Sequence, residues 1–131
     1  MPDLNRILLV EDEADIRAIA KIALMSVGGF TLKICSSGRE ALENAASFNP
    51  DLFLLDVMMP DLDGPSTLKA LRQLPETKLT PAIFMTAKVQ PNEIAELKAL
   101  GALDVIAKPF DPMALASLIK NIWKNNYLLD T

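Results

Sequence analysis

Five short apolar runs, each followed by a stretch with helical spacing or helix caps, constrain the fold of this chain more than any other feature. The runs cover residues 7–10, 30–35, 52–55, 82–85 and 105–107. Strands that alternate with helices form a parallel sheet with right-handed crossovers and helices on both faces. The pattern therefore predicts an α/β fold with a doubly wound, five-stranded parallel sheet, for which the expected strand order is 2-1-3-4-5.

Caps, prolines and apolar spacing predict where the helices lie. Ser37 and Glu40 form a capping box for the second helix. Pro65 and Pro91 suit the first turns of the third and fourth helices, and Asp111 caps the fifth. The first helix is predicted to stop at the glycine pair 28–29. Its buried face is predicted to consist of Ile16, Ile19, Ala20, Ala23, Leu24 and Val27.

Length and charge limit the possible functions. The 131 residues fit one compact domain and leave no room for a second. Thirteen Lys and Arg against 17 Asp and Glu give a net charge of -4, which disfavours direct nucleic-acid binding. The N-terminus lacks the features of a signal peptide, and Lys21 interrupts the best candidate membrane span. We therefore expect a soluble cytoplasmic protein with a packed, unreactive Cys35.

Asp56 stands at the end of an apolar run that is typical of a strand buried on both faces. A charge in such a position is unfavourable unless it is paired or bound to a metal. Other polar side chains directly follow the first, fourth and fifth runs: Glu11, Asp12, Thr86 and Lys108. In the order 2-1-3-4-5 these strand ends meet at one edge of the sheet, so we expect the side chains to border one crevice.

The chemistry of these side chains favours a divalent cation and a phosphoryl group. When all are ionised, the three carboxylates and the lysine carry a net charge of -2, and the carboxylates repel one another. Oxygen ligands without histidine or cysteine favour Mg²⁺, which keeps some waters and shares its shell with phosphoryl oxygens. Lys108 and Thr86 would hold a phosphoryl group, and Asp56 would attack its phosphorus as a carboxylate nucleophile.

Four motifs, in order along nearly the whole chain, resemble those of a known family. They are LLVEDE (8–13), LLDVMMPDLDG (54–64), MTA (85–87) and KPF (108–110). This set resembles the receiver domain of two-component response regulators, the CheY-like superfamily with a flavodoxin-like fold. The order 2-1-3-4-5 belongs to that family, so it does not support the resemblance independently.

The resemblance implies that Asp56 accepts a phosphoryl group from a phosphohistidine on a sensor histidine kinase or a phosphotransfer protein. It further implies that Mg²⁺ is bound by Glu11, Asp12 and Asp56 together with the backbone carbonyl of Met58. The chain contains no histidine, so the phosphodonor must be another protein. The domain would be a phosphoacceptor in signalling, with self-phosphorylation and self-dephosphorylation as its only reactions.

The resemblance also implies how a signal would leave the domain. Lys108 would pair with the phosphoryl group, and Thr86 would move to hydrogen-bond it. This would alter the face formed by helix 4, strand 5 and helix 5, which binds a downstream protein or a second copy of the chain. Lys108-Pro109 would be a cis peptide. Val105 replaces the aromatic residue of many members, so we expect a smaller rearrangement in this chain.

The domain organisation stays open, and three alternative functions have to be considered. We expect residues 1–131 to form a single receiver domain without an output domain, either as a whole protein or as part of a longer regulator or hybrid kinase. A pseudo-receiver that binds partners without phosphorylation is an alternative. A haloacid-dehalogenase-type phosphatase would need an Asp where Met58 stands, and an FMN carrier would not place Glu11 to Glu13 beside a phosphate.

Each site residue also has a simple structural explanation when it is taken alone. Glu11 and Asp12 could complement a helix dipole, Asp56 could open a turn, and Thr86 could cap a helix. Lys108 could be a solvated surface lysine. These roles do not require five such side chains at the ends of four strands around one crevice, so we favour the receiver interpretation.

Overall fold

The structure is a computed structural model that describes residues 3–128. Its strands form one parallel sheet in the order β2-β1-β3-β4-β5. They are β1 (Arg6–Val10), β2 (Thr31–Cys35), β3 (Leu52–Asp56), β4 (Ala82–Thr86) and β5 (Asp104–Ala107). The predicted doubly wound α/β fold and its strand order are therefore confirmed.

Five helices connect and follow the strands. They are α1 (Ala14–Lys21), which continues as a π-helical segment (Ile22–Val27), α2 (Gly38–Phe48), α3 (Gly64–Leu71), α4 (Pro91–Ala99) and α5 (Leu115–Leu128). A short 3₁₀ turn (Pro75–Thr77) precedes β4. Within residues 3–128, no helix has both the length and the apolar character to cross a bilayer.

The sheet separates two hydrophobic cores. In β1, Ile7 and Leu9 face a core that also contains buried residues of α1, its π-helical continuation and α5. Leu8 and Val10 face the opposite core, which is completed by α2, α3 and α4. All four side chains are fully buried. Burial on both faces explains why the central strands are continuous apolar runs without alternation.

The predicted caps position the starts of α2, α3 and α4. The Ser37 hydroxyl accepts a hydrogen bond from the Glu40 amide at 3.1 Å. The Glu40 carboxylate reaches back one residue further than the ideal capping box and accepts from the Ser36 amide at 3.0 Å. Pro65 and Pro91 lie in the first turns of α3 and α4, as predicted.

The first helix departs from the predicted amphipathic pattern. It ends before the glycine pair as expected, but Ile19 and Val27 on its predicted buried face are 42% and 43% exposed. The segment from Ile22 onward is a π-helix, in which each turn contains more residues than an α-turn. The changed period explains the exposure of Val27 but not that of Ile19, which lies in the α-helical part.

Cys35 ends β2 and is fully buried. Burial and, to a smaller extent, the nearby Glu40 charge raise the pKa of its thiol to about 12. Since the thiolate is the reactive form, these features fit the predicted packed and unreactive cysteine.

Candidate functional site

The carboxyl edge of the sheet brings the predicted site residues close together. Glu11 directly follows β1, Asp56 and Thr86 end β3 and β4, and Lys108 follows β5. Asp56, Thr86 and Lys108 line a crevice of about 260 Å³ whose rim includes Met58. The crevice lies beside the switch between β1 and β3, where parallel α/β sheets bind ligands.

Lys108 connects two buried carboxylates. Its Nζ lies 3.0 Å from Asp56 Oδ1 and 3.2 Å from Glu11 Oε2. The exposed fraction is 14% for the Lys108 side chain, 4% for the Asp56 side chain and zero for the Glu11 side chain. A buried carboxylate requires a cation or hydrogen-bond donors to compensate for lost hydration, and Lys108 supplies both to this pair.

The three acidic residues are close enough to share a metal ion. Glu11, Asp12 and Asp56 each offer one carboxylate oxygen, and these oxygens all lie within 4.8 Å of one another. Opposite ligands of one Mg²⁺ ion are about 4.2 Å apart, so small side-chain movements would complete such a set. The oxygen-only donors fit Mg²⁺ in number and chemistry. The individual ligand roles, including that of the Met58 carbonyl, stay predictions.

Burial and the nearby charges shift the pKa values of the two buried carboxylates and of Lys108. Burial, followed by the Asp56 charge, raises the pKa of Glu11 to about 7 against the opposing effect of Lys108. Burial also raises the pKa of Asp56, with Lys108 acting against the shift and Asp12 adding to it. Burial alone would lower the pKa of Lys108, but hydrogen bonds and charges from Asp56 and Glu11 raise it. The lysine is therefore firmly protonated.

Thr86 borders the crevice with a hydroxyl that already makes a local bond. Its Oγ1 accepts a hydrogen bond from the Lys88 amide at 3.0 Å, and the residue is 4% exposed. The hydroxyl hydrogen can still donate to another acceptor. The side chain therefore keeps a donor for the predicted phosphoryl contact. On the other side of the crevice, Lys108-Pro109 is a cis peptide, as the resemblance implies.

Gly64 supports the site in a way that the sequence pattern did not reveal. Asp63 caps α3 by accepting a hydrogen bond from the Ser66 amide at 2.8 Å. A Cβ atom on Gly64 would lie 2.3 Å from the Asp56 carbonyl oxygen and 2.9 Å from the Val57 Cα. Only glycine allows the start of α3 to pack this closely against the end of β3.

We expect Gly64→Ala to lower the free energy of unfolding by about 2 kcal/mol, since overpacked sites typically lose 1–3 kcal/mol. The clash is with backbone atoms next to Asp56, which cannot move without disturbing β3. Urea unfolding measures this loss, and a Gly64→Ala chain as stable as wild type would contradict the backbone explanation.

Comparison with known proteins identifies the family. The model of the response regulator receiver domain matches residues 7–120. The chain belongs to this receiver domain family. It is 40% identical over 111 residues to the regulatory protein AtoC of Escherichia coli. This match covers 85% of this chain and 23% of AtoC. It is 37% identical over 124 residues to the E. coli transcriptional regulatory protein CpxR, which covers 95% of this chain and 51% of CpxR.

A solved structure of similar size supports the same assignment. The chemotaxis protein CheY4 of Vibrio cholerae has a TM-score of 0.83 and 31% identity, with 92% of this chain and 99% of CheY4 covered. By contrast, this receiver domain spans about a quarter of AtoC and about half of CpxR. The family resemblance predicted from the sequence is confirmed. Receiver domains bind Mg²⁺ at an acidic pocket, and this one has the acidic cluster of Glu11, Asp12 and Asp56.

Proposed function

We propose that Asp56 accepts a phosphoryl group from a phosphohistidine of a sensor histidine kinase or phosphotransfer protein, in a reaction that requires Mg²⁺. The observation that carries this proposal is the contact of Lys108 Nζ with Asp56 Oδ1 at 3.0 Å, beside three clustered carboxylates. Lys108 favours the ionised form of Asp56, which is the nucleophilic form. Receiver domains act in two-component signalling, which supports a histidine kinase as the source of the phosphoryl group.

The transfer would exchange one bond to phosphorus for another. A carboxylate oxygen of Asp56 forms a bond to phosphorus, the P–N bond of the phosphohistidine breaks, and its electron pair stays on the histidine nitrogen. Bound Mg²⁺ would neutralise charge on the phosphoryl oxygens during this exchange. Lys108 holds a phosphoryl oxygen through its ammonium, and Thr86 donates its hydroxyl hydrogen to another. Glu11, Asp12 and the Met58 carbonyl would hold the metal throughout the transfer, since none of them bonds to phosphorus.

Incubation of the chain with acetyl phosphate tests the proposal. Intact mass should increase by one phosphoryl group in the presence of Mg²⁺ and should not increase when EDTA removes the metal. A folded chain that gains no phosphoryl group with Mg²⁺ would contradict the proposal and favour the pseudo-receiver alternative. A gain that is independent of Mg²⁺ would reject the metal requirement alone.

We further infer that phosphorylation alters the surface formed by α4, β5 and α5 and thereby changes the binding of a downstream protein. Turning the Thr86 hydroxyl toward a phosphoryl group would break its bond to the Lys88 amide and release the loop before α4. Only Leu97 of α4 is buried, so this helix can shift with little loss of packing.

The amide resonances of the chain should report this change. On phosphorylation, the largest shifts outside the immediate site are expected in residues 86–90 and in α4. Val105, which is half-buried, offers no aromatic ring to turn inward, so shifts in β5 should be smaller. Unchanged resonances in 86–90 and α4 would reject a switch through Thr86.

A further inference from the structure

Arg17 holds the loop that carries two of the three clustered carboxylates. From α1, its Nη1 donates hydrogen bonds to the carbonyl oxygens of Glu11 at 3.0 Å and Asp12 at 2.8 Å. The Arg17 side chain is half-buried, so water competes only partly for these bonds. One guanidinium nitrogen therefore bridges two successive peptide groups between β1 and α1.

These bonds restrict the backbone of Asp12 from both sides. Because each peptide group is planar, only φ and ψ of Asp12 set the relative orientation of the two peptide groups that flank it. Fixing the Glu11 carbonyl restrains φ of Asp12, and fixing the Asp12 carbonyl restrains its ψ. The direction of the Asp12 side chain then depends on Arg17.

The loop has other anchors, but they act on its ends. The Glu11 amide donates to the Cys35 carbonyl at 3.1 Å, and the Glu13 amide donates to Glu11 Oε1 at 3.3 Å. Within residues 3–128, the Glu13 side chain caps no amide of the first turn of α1. Arg17 is thus the contact that holds the carbonyls of both acidic residues at once.

We propose that Arg17 is a positioning residue for the metal site, holding Glu11 and Asp12 so that their carboxylates lie beside Asp56. The inference rests on the proposed function, because it concerns the Mg²⁺ that phosphorylation of Asp56 would require. Mg²⁺ demands a near-ideal octahedral shell, whereas Ca²⁺ accepts longer and more variable ligand distances. A loosened loop should therefore weaken Mg²⁺ binding more than Ca²⁺ binding.

The positive charge of Arg17, taken alone, predicts that loss of the residue would strengthen Mg²⁺ binding. The positioning role predicts weaker binding, so the two can be distinguished. Removal of a cation near an acidic cluster favours binding of any divalent cation by Coulomb's law. If Arg17 acted only through its charge, its loss would tighten the binding of Mg²⁺ and Ca²⁺ alike. If it acted only on the stability of the fold, the unfolding temperature would fall while the Kd for Mg²⁺ stayed constant well below that temperature.

Calorimetric titration of the metal-free chain with Mg²⁺ and with Ca²⁺, at constant pH and ionic strength, separates these roles. The variants are Arg17→Gln, which removes the charge and the bridge, and Arg17→Lys, which keeps the charge. Lys21→Gln is the matched control, because it removes the same charge from an exposed position on the same helix. Thermal unfolding in EDTA establishes that each variant is folded at the titration temperature.

We expect Arg17→Gln to raise the Kd for Mg²⁺ about tenfold, which is typical for loss of a group that orients metal ligands. The Kd for Ca²⁺ should rise less, Arg17→Lys should give intermediate values, and Lys21→Gln should leave both constants nearly unchanged. An Arg17→Gln chain that binds Mg²⁺ as tightly as wild type, or more tightly, would overturn the positioning role. Equal weakening of Mg²⁺ and Ca²⁺ would also overturn it.

The wild-type titration separates failure of this inference from failure of the proposed function. A wild-type chain that binds no Mg²⁺ would reject the metal requirement of the proposed function, and the positioning role would fall with it. If wild type binds Mg²⁺ but Arg17→Gln does not fold, Arg17→Met, which keeps the apolar stem, replaces it in the same comparison. Under that substitution a Kd for Mg²⁺ no higher than that of wild type again overturns the inference.

Discussion

An Asp56→Asn chain is expected to gain no phosphoryl group under conditions in which the wild-type chain gains one. The neutral amide replaces the carboxylate nucleophile while keeping nearly the same shape. Burial raises the pKa of Asp56, which shows that the fold does not favour the charge at this position. Asp56→Asn should therefore be at least as stable as wild type in metal-free solution, so that loss of phosphorylation cannot be attributed to unfolding.

Asp61→Asn provides a matched control for this experiment. Asp61 lies in the loop that follows Asp56 and is exposed, with an ion pair to Arg39 at 2.5 Å. Its substitution makes the same chemical change close to the site but outside the acidic cluster. Intact mass should show full phosphorylation of Asp61→Asn and none of Asp56→Asn. A phosphoryl gain by Asp56→Asn at the wild-type rate would place the acceptor at another residue.

A Lys108→Met chain is expected to lose about 3 kcal/mol of stability in metal-free solution, the lower end of the range for breaking a buried ion pair. The substitution leaves the buried Glu11 and Asp56 carboxylates without their common cation. The loss stays at the lower end because Glu11, whose pKa is already about 7, can take up a proton. Urea unfolding at neutral pH in EDTA measures this effect.

Added Mg²⁺ should restore more stability to Lys108→Met than to wild type. Without the Lys108 ammonium group, Mg²⁺ no longer competes with another cation for the carboxylates, so the Kd for Mg²⁺ should fall. A ligand present at a concentration of 100 times its Kd stabilises the folded state by about 2.7 kcal/mol. Lys98→Met is the control, since Lys98 pairs with Asp104 at 3.9 Å and both side chains are well exposed. We expect it to change stability by less than about 1 kcal/mol. A Lys108→Met chain as stable as Lys98→Met would show that the buried contact contributes little.

The fold and the grouping of the candidate site residues could be predicted from the sequence because each rests on a local pattern. Apolar runs of strand length alternate with capped helices, and that alternation determines a parallel sheet. The strand ends then bring together side chains that are far apart in the chain, such as Glu11 and Lys108, which are separated by 97 positions and lie 3.2 Å apart. The strand order of the sheet thus places residues that are distant in sequence next to one another.

Features that depend on the path of the backbone in three dimensions could not be predicted in this way. The close approach of Gly64 to the Asp56 carbonyl exists only once α3 has packed against β3. Arg17 contacts residues that are close in sequence, but an arginine on a helix normally has a solvated side chain. The sequence therefore did not indicate these contacts. The π-helical segment after Lys21 leaves no mark in the apolar pattern and shifts the exposure of its residues.

The placement of Asp56 holds the proposed phosphoryl acceptor more rigidly than the segments around it. All five residues of β3 are buried, and the strand pairs along its length with β1 on one side and β4 on the other. Gly64, at the start of α3, packs so closely against the Asp56 carbonyl that no space remains behind the end of β3. An added group on Asp56 therefore cannot be accommodated by bending the strand beneath it. Any displacement must be taken up by the segments at the rim, so the proposed switch depends on the rigidity of the central strand.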